Sequence, residues 1–437
     1  MSNPLPTGWK LEPLRRLAQV VSGGTPSRYV PEFWEGGSIP WVTPTDITSS
    51  NDRFLHETRE HITALGLQSC SAKKLPPGTL LMTSRATLGE VRIALGEVCT
   101  NQGFKSLIPF KGVDGHFLYY QIGLNKERYK GFGIGSTFLE VNKRDTERFE
   151  LLVAPEKEQR RIAEILSTVD EAIEQTEALI AKYQQIKAGL MQDLFTRGVT
   201  PDGHLRPTNV QAPHLYKDSP LGWIPKDWEI KALLDFSISR PGGFVNGPFG
   251  SDLLTSELTD SGVPVIYVQD IKEDEYRRLS NAYVTEEKAN ELLVCNVRAG
   301  DVIVAKVGDP PGIAAIYSIN ERAIVTQDVI RIRHAEDVVP QFLACLLNSP
   351  VGRRGIRRIT IEGTRARVSL TEFKSLPFPK PSHKEQELIA DCISNAQQNL
   401  CALSSDLEKI ETIKHGLMQD LLTGRVRVKV GEAEEQS

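Results

Sequence analysis

Two stretches of the chain place apolar residues at alternating spacings of four and three. In the first, Ile162, Leu166, Val169, Ile173, Thr176, Ile180, Tyr183, Lys187, Leu190 and Leu194 follow that spacing, and eight of the ten are apolar. In the second, Ile389, Ile393, Ala396, Leu400, Leu403, Leu407, Ile410, Lys414, Leu417 and Leu421 do the same with nine of ten. A mean spacing of 3.5 residues keeps one narrow stripe on one side of a helix over its whole length, the pattern of a helix that packs against another helix. The pattern predicts two long helices, within 154–199 and 382–426, each about 60 Å long at 1.5 Å per residue. The expected antiparallel pairing runs through Ile162, Leu166, Val169, Ile173, Ile180 and Leu190 on one helix and Ile389, Ile393, Leu400, Leu407 and Leu417 on the other. Lys187 and Lys414 sit at matching stripe positions, where a polar residue fixes register at some cost in stability. Pro155 with Glu156 and Glu158, and a Ser382-x-x-Glu385 capping box, supply start signals. Gly198 followed by Pro201, and Gly424, supply stops.

The two helical segments are copies. Glu156 to Val199 and His383 to Val426 align without a gap at an offset of 227 and are identical at 17 of 44 positions. Both contain Lys-Glu-Gln near the start and Gly-Leu-Met-Gln-Asp-Leu near the end. The preceding regions correspond more loosely: Leu5-Pro6 and Trp9 answer to Ile224-Pro225 and Trp228, Asp46-Ile47 to Asp270-Ile271, Gly78 to Gly300, and Gln102 to Gln327. A repeat of this length marks one unit written twice, which suits a function needing two equivalent heads at a fixed separation. Short apolar runs bounded by Gly and Pro, such as Thr79 to Met82, Val91 to Ala94, Val302 to Ala305 and Ile313 to Tyr317, predict strands. Phe117 to Leu124 and Gln341 to Leu347 predict short helices. The fold class expected is therefore α+β: mixed α/β heads at 1–153 and 223–381, a linker at 200–222, a polar tail at 427–437, and a pseudo-twofold repeat in which the long helices separate the heads.

Composition narrows the function. A chain of 437 residues, 40% apolar and 25% charged, fits a folded protein of more than one core. The start, Met1-Ser2-Asn3-Pro4-Leu5-Pro6, lacks signal-peptide features, and no apolar run reaches membrane length, so a cytoplasmic location without membrane contact is expected. Six scattered cysteines with no Cys-x-x-Cys pair predict buried reduced thiols and no metal. A net charge of -4 disfavours nucleic-acid binding by overall charge, leaving local patches.

The opening Leu5-Pro6-Thr7-Gly8-Trp9-Lys10 with Ser22-Gly23-Gly24-Thr25-Pro26, the proline-preceded Lys157-Glu158-Gln159 and Lys384-Glu385-Gln386, the two hexapeptides, and Asp218-Ser219-Pro220-Leu221-Gly222-Trp223-Ile224-Pro225 resemble the specificity subunit of a type I restriction-modification system. The resemblance covers essentially the whole chain. It implies that each head is a target recognition domain reading part of a bipartite site in double-stranded DNA. It implies further that the helices act as a ruler and dock two methyltransferase subunits, joined by restriction/translocase subunits. S-adenosylmethionine, ATP and Mg would act in those partners, with no cofactor bound by this chain. A different reading of the same pattern is a coiled-coil adaptor whose heads bind proteins.

No P-loop or His-Glu-x-x-His sequence is present, and Asp309-Pro310-Pro311-Gly312 lacks the aromatic ring that a base-flipping methyltransferase motif needs, so no catalytic residue is assigned and a tight turn is expected there. The strongest basic footprint is Arg353, Arg354, Arg357, Arg358, Arg365 and Arg367 against the single acid Glu362, a local excess of +5. A weaker echo in the first head contains Lys126, Arg128, Lys130, Lys143 and Arg144. Glycine-flanked polar loops are the other DNA-binding candidates: Gly23, Gly24, Thr25, Ser27, Arg28, Thr83, Ser84, Arg85, Asn101, Gln102 and Lys105 in the first head, and Asn246, Ser251, Gln269, Lys306 and Gln327 in the second.

Overall fold

The computed structural model describes residues 5–49, 52–134, 139–248 and 250–429; most of the predicted tail, 430–437, lies outside them. The chain divides into two compact units, Met1–Ala178 with Ser405–Ser437, and Leu179–Ser404. Both long helices form, Glu156–Leu194 and His383–Leu422, and each contributes one end to each unit. Gly198 and Gly424 follow them at φ +65° and +69°, the left-handed conformation that ends a helix at little cost only in glycine.

In the first unit, a five-stranded sheet runs Ala18–Ser22, Lys105–Pro109, Leu80–Met82, Val91–Ala94, Phe54–Leu55. Beside it lies a three-stranded sheet, Glu60–Ile62, Ile39–Val42, Cys99–Thr100, whose last two strands are parallel. In the second unit, one four-stranded sheet runs Phe244–Asn246, Val329–Ile332, Val302–Ala305, Ala314–Ile316. The other runs Tyr283–Val284, Val263–Ile266, Ala323–Val325, Asn296–Val297, with its middle pair parallel. The predicted strands at Val91–Ala94 and Val302–Ala305 match, and the predicted helices appear as Gly115–Leu124 and Pro340–Asn348. The α+β duplication expected from the pattern is the architecture found.

All twenty stripe positions avoid full exposure. In the first unit Ile162 and Leu166 share a core with Leu421, Leu422 and the head residues Trp9, Phe117 and Tyr120. In the second unit Met191 and Leu194 share a core with Ile389, Ile393, Trp228 and Phe342. The helices are antiparallel: Asp170 Oδ1 meets Lys414 Nζ at 2.6 Å, nearer the start of one helix and the end of the other, and Lys187 Nζ donates to Gln397 Oε1 at 2.7 Å in the second unit. The two stripe lysines thus each take a specific partner on the opposite helix. Val169, Ile173, Ile180, Leu190 and Leu407 are half-buried and Leu400 buried.

A three-residue clasp holds each unit together, and it explains the repeated Lys-Glu-Gln. In the second unit Glu385 accepts from Trp228 Nε1 at 3.0 Å, from the Val199 amide at 2.9 Å, and from both terminal nitrogens of Arg206. In the first, Glu158 accepts from Trp9 Nε1 at 3.2 Å and from Arg427, whose Nε lies at 2.9 Å. Each arginine comes from the chain that follows the other long helix, so the end of each helix is tied to the beginning of its mate. The neighbouring glutamines cap the junction: Gln159 binds Asp114 N and Ala154 O, while Gln386 binds Val339 N, Asp337 O and Pro381 O.

Three expectations need correction. The Ser382 hydroxyl does accept from the Glu385 amide, at 3.3 Å, but the Glu385 carboxylate turns to the clasp instead of back to Ser382, so only half a capping box forms. Segment 200–222 is not a featureless linker: Arg206 is buried by Glu385, and Tyr216–Lys217 pairs with Ile224–Pro225. All six cysteines are free, but only Cys99, Cys295 and Cys345 are buried, Cys70 and Cys392 are half-buried, and Cys401 is exposed because it lies off the stripe.

Candidate nucleic-acid interface

Both heads carry the same loop frame, built from the ends of equivalent strands. In the first head the Ser84 amide donates to Gly103 O at 2.7 Å, the Val141 amide donates to Ser84 O at 3.0 Å, and Arg85 bridges to Glu140. In the second head the Lys306 amide donates to Asp328 O at 2.8 Å, the Val368 amide donates to Lys306 O at 3.1 Å, and Val307 bridges to Arg367. A third loop is fixed by a buried aspartate in each: Asp46 accepts from the Thr43 amide and Asp270 from the Tyr267 amide, both at 2.7 Å. The backbone scaffold is one design, and the side chains mounted on it differ.

Glycines at the scaffold's edge have an internal reason. A Cβ on Gly23 would stand 2.0 Å from Asn101 O, and one on Gly247 2.1 Å from Val325 O, so these loops press on the strand ends. Gly23 and Gly24 are buried and shape the fold; they are not free to meet a ligand. Thr83 and Ser84 are likewise fully buried, and Lys105, 5% exposed, turns its amine to Ser84 Oγ at 3.1 Å and toward Glu140 at 3.7 Å. Burial lowers the Lys105 pKa, with Glu140 opposing. Arg85 pairs with Glu140 at 2.8 Å and Lys143 with Glu147 at 3.7 Å. Arg28 is clamped by Glu60 and stacked 3.7 Å from the Trp34 ring centroid; the Glu60 hydrogen bond raises its pKa and depresses that of Glu60. Lys126 and Lys130 pair with Glu90 and Glu127, and Arg128 bonds a backbone carbonyl. Most cations of the first head are therefore spent internally. Thr25 bonds Gln102, joining two predicted loops, while Asn101 is half-buried and Ser27 and Arg144 are exposed.

The second head is different. Arg353 to Arg358 lie on the helix Pro350–Arg358, and Arg365 and Arg367 on the hairpin of Thr360–Ile361 with Arg367–Val368. Arg354, Arg357, Arg358, Arg365 and Arg367 are exposed, with no acid within ion-pair distance among the described residues. Arg353 is the exception: it is turned inward, its Nη1 is buried without a partner among the described residues, and burial lowers its pKa. Beneath the hairpin lie two adjoining clefts of about 630 and 720 Å³. They bring together Gln269, Lys306, Gln327, Arg365 and Arg367 from four separate segments. Asn246, half-buried on its strand, and Ser251, on an exposed turn near Asp252, line neither cleft. Asp309-Pro310-Pro311-Gly312 forms the turn between strands Val302–Ala305 and Ala314–Ile316.

Sequence reasoning missed Glu140 and Asp328 as members of the site, because it sought cations, hydroxyls and amides there. The signal for Asp328 was available in its place directly after Gln327, the partner of Gln102 in the repeat. Among the described residues no group of His, Cys, Asp and Glu is arranged to hold a metal, and no helix is long and apolar enough to cross a membrane.

Comparison with known proteins agrees with this architecture. Residues 6–185 match the family described as Type I restriction modification DNA specificity domain. The type I restriction enzyme MjaIX specificity subunit of Methanocaldococcus jannaschii is 33% identical, over 97% of this chain and 95% of its own length. The MjaVIII specificity subunit of the same organism is 25% identical over 80% of this chain and 79% of its own. The crystal structure of the type I restriction-modification S subunit from M. genitalium shares the fold, with a TM-score of 0.55 at 15% identity over 96% of this chain and 97% of that one. A chain from a structure of type I restriction-modification complex assembly and conformational transition gives 0.58 at 16% identity, over 97% of this chain and 100% of that one. With its twofold written sequence, its paired long helices and its duplicated loop frame, the chain belongs to the family of type I restriction enzyme specificity subunits.

Proposed function

We propose that the chain reads a bipartite DNA target, one half-site per head, and that its helices carry two methyltransferase subunits with restriction/translocase subunits added to them. In this reading the chain has no catalytic centre of its own; S-adenosylmethionine, ATP and Mg act in the partners, in the cytoplasm. The observation that carries it is the shared loop frame: one backbone arrangement bearing unlike side chains is what two readers of unlike sequences require. The exposed arginines add phosphate anchors suited to bidentate binding.

The adaptor reading, with heads that bind proteins, draws on the net charge of -4 and on the internally paired cations of the first head. Binding of DNA by the assembled methyltransferase separates the two. Arg357→Ala with Arg358→Ala is expected to weaken that binding and to flatten the plot of log K against log salt, its slope falling by roughly 0.9 for each phosphate no longer neutralised. An unchanged affinity and slope would remove the arginine face from the interface.

A further inference from the structure

We propose that Lys306 and Asp328 are the specificity-determining pair of the second head and read the major-groove edge of one G·C base pair. The inference rests on the DNA-reading function proposed above and names the chemistry of one of its sites. The two residues are joined through the backbone, Lys306 N donating to Asp328 O at 2.8 Å, so their side chains leave neighbouring points of the loop frame. Both are half-buried and both line the cleft of about 720 Å³ under the arginine hairpin. They carry opposite charges side by side, yet among the described residues neither makes an ion pair or a side-chain hydrogen bond, with each other or with anything else.

With no partner among the described residues, the ammonium and the carboxylate stand open at the cleft together and favour a ligand that satisfies both charges at once. A phosphate suits Lys306 but is repelled by Asp328. A protein carboxylate or ammonium meets one and opposes the other. The major-groove edge of a G·C pair is bipolar in the required sense: guanine offers O6 and N7 as acceptors at one end and cytosine its N4 amino group as donor at the other. An A·T pair places its single donor between two acceptors, so a carboxylate that reaches the amino group also meets N7 or O4. Gln269 and Gln327, exposed at the same clefts, supply amides for flanking bases. The equivalent positions of the first head are Ser84, which already receives Lys105, and Gly103, so the first head cannot form this pairing and the two half-sites are read by different chemistry.

The test uses the chain assembled with its methyltransferase partners and duplexes built on the motif that the complex modifies, each carrying one base-pair substitution. For the unaltered chain, one G·C pair in one half-site should cost at least roughly tenfold in binding when replaced. Lys306→Gln and Asp328→Asn should each abolish discrimination at that same position and leave the other positions as they were. The substitutions are close in size to the native side chains, and neither side chain has a partner among the described residues, so assembly, followed by gel filtration, should be intact. A profile unchanged in both variants overturns the proposal, as does an A·T pair at the affected position. A wild-type complex indifferent to every substitution would instead overturn the DNA-reading function, and this inference with it.

Discussion

Glu385→Ala removes the centre of the second clasp, and the structure sets the size of the loss. The Glu385 side chain is 7% exposed and that of Arg206 10%, so water screens the pair little. Burial works to lower the Arg206 pKa, but the Glu385 hydrogen bonds and charge, with Asp227, outweigh it and leave it raised. The substitution strands the Val199 amide and the Trp228 indole and takes from the Arg206 guanidinium its buried partner, leaving it Asp227 and the Arg197 carbonyl. Breaking a buried pair by deleting one partner costs about 3–5 kcal/mol, and part of the freed charge is held by Asp227 at 2.8 Å. A loss of roughly 3 kcal/mol is expected for this unit. Because two units need not unfold together, the assay is hydrogen exchange by mass spectrometry on peptides spanning 195–210 and 383–390 in mild denaturant. Adding Arg206→Met in the same chain should recover much of the loss, since an apolar side chain avoids the unpaired charge. A loss below about 1 kcal/mol, or additivity of the two substitutions, would mean that Glu385 does not hold this unit together. Glu158→Ala should cost less, because Arg427, at 42% side-chain exposure, is solvated where Arg206 is not.

Gly198→Ala should destabilise the second unit by at least about 1–2 kcal/mol from left-handed strain alone, and by more from crowding, since the added Cβ falls 2.2 Å from Glu385 Oε1; Gly424→Ala, whose nearest neighbour is Pro6 Cγ at 2.6 Å, should be milder. Denaturation of each variant compares them. Lys414→Met should destabilise the first unit, because Asp170 is buried and would keep only Tyr120 Oη at 2.5 Å and Arg53 at 3.8 Å; adding Asp170→Asn should restore part of the loss, and thermal melting of the single and double variants reads both.

The long helices were legible because their information is periodic and local: a spacing of 3.5, a glycine stop and a repeated hexapeptide require no knowledge of the rest of the chain. The strands at Val91–Ala94 and Val302–Ala305 were legible for the same reason. The clasp was hidden, since Glu158 and Glu385 read as helix-start acids until Trp9, Trp228, Arg206 and Arg427 are brought to them from far along the chain. The site was half legible. Composition located the arginine run and the repeat located Gln102 and Gln327, but whether a cation is free depends on tertiary partners. Glu140 claims Arg85 and Lys105, Glu60 claims Arg28, and burial claims Arg353, whereas Lys306 has no such partner among the described residues. Charge counted along the sequence cannot tell these cases apart.

Two independent readers on one chain are tested most directly by mapping modified adenines in DNA treated with the assembled methyltransferase, first with this chain and then with residues 1–150 replaced by the first head of another specificity subunit. A split motif with modification on opposite strands is expected, and after the exchange a change confined to one half of it. A single uninterrupted motif, or a change in both halves together, would show that the heads do not read separately.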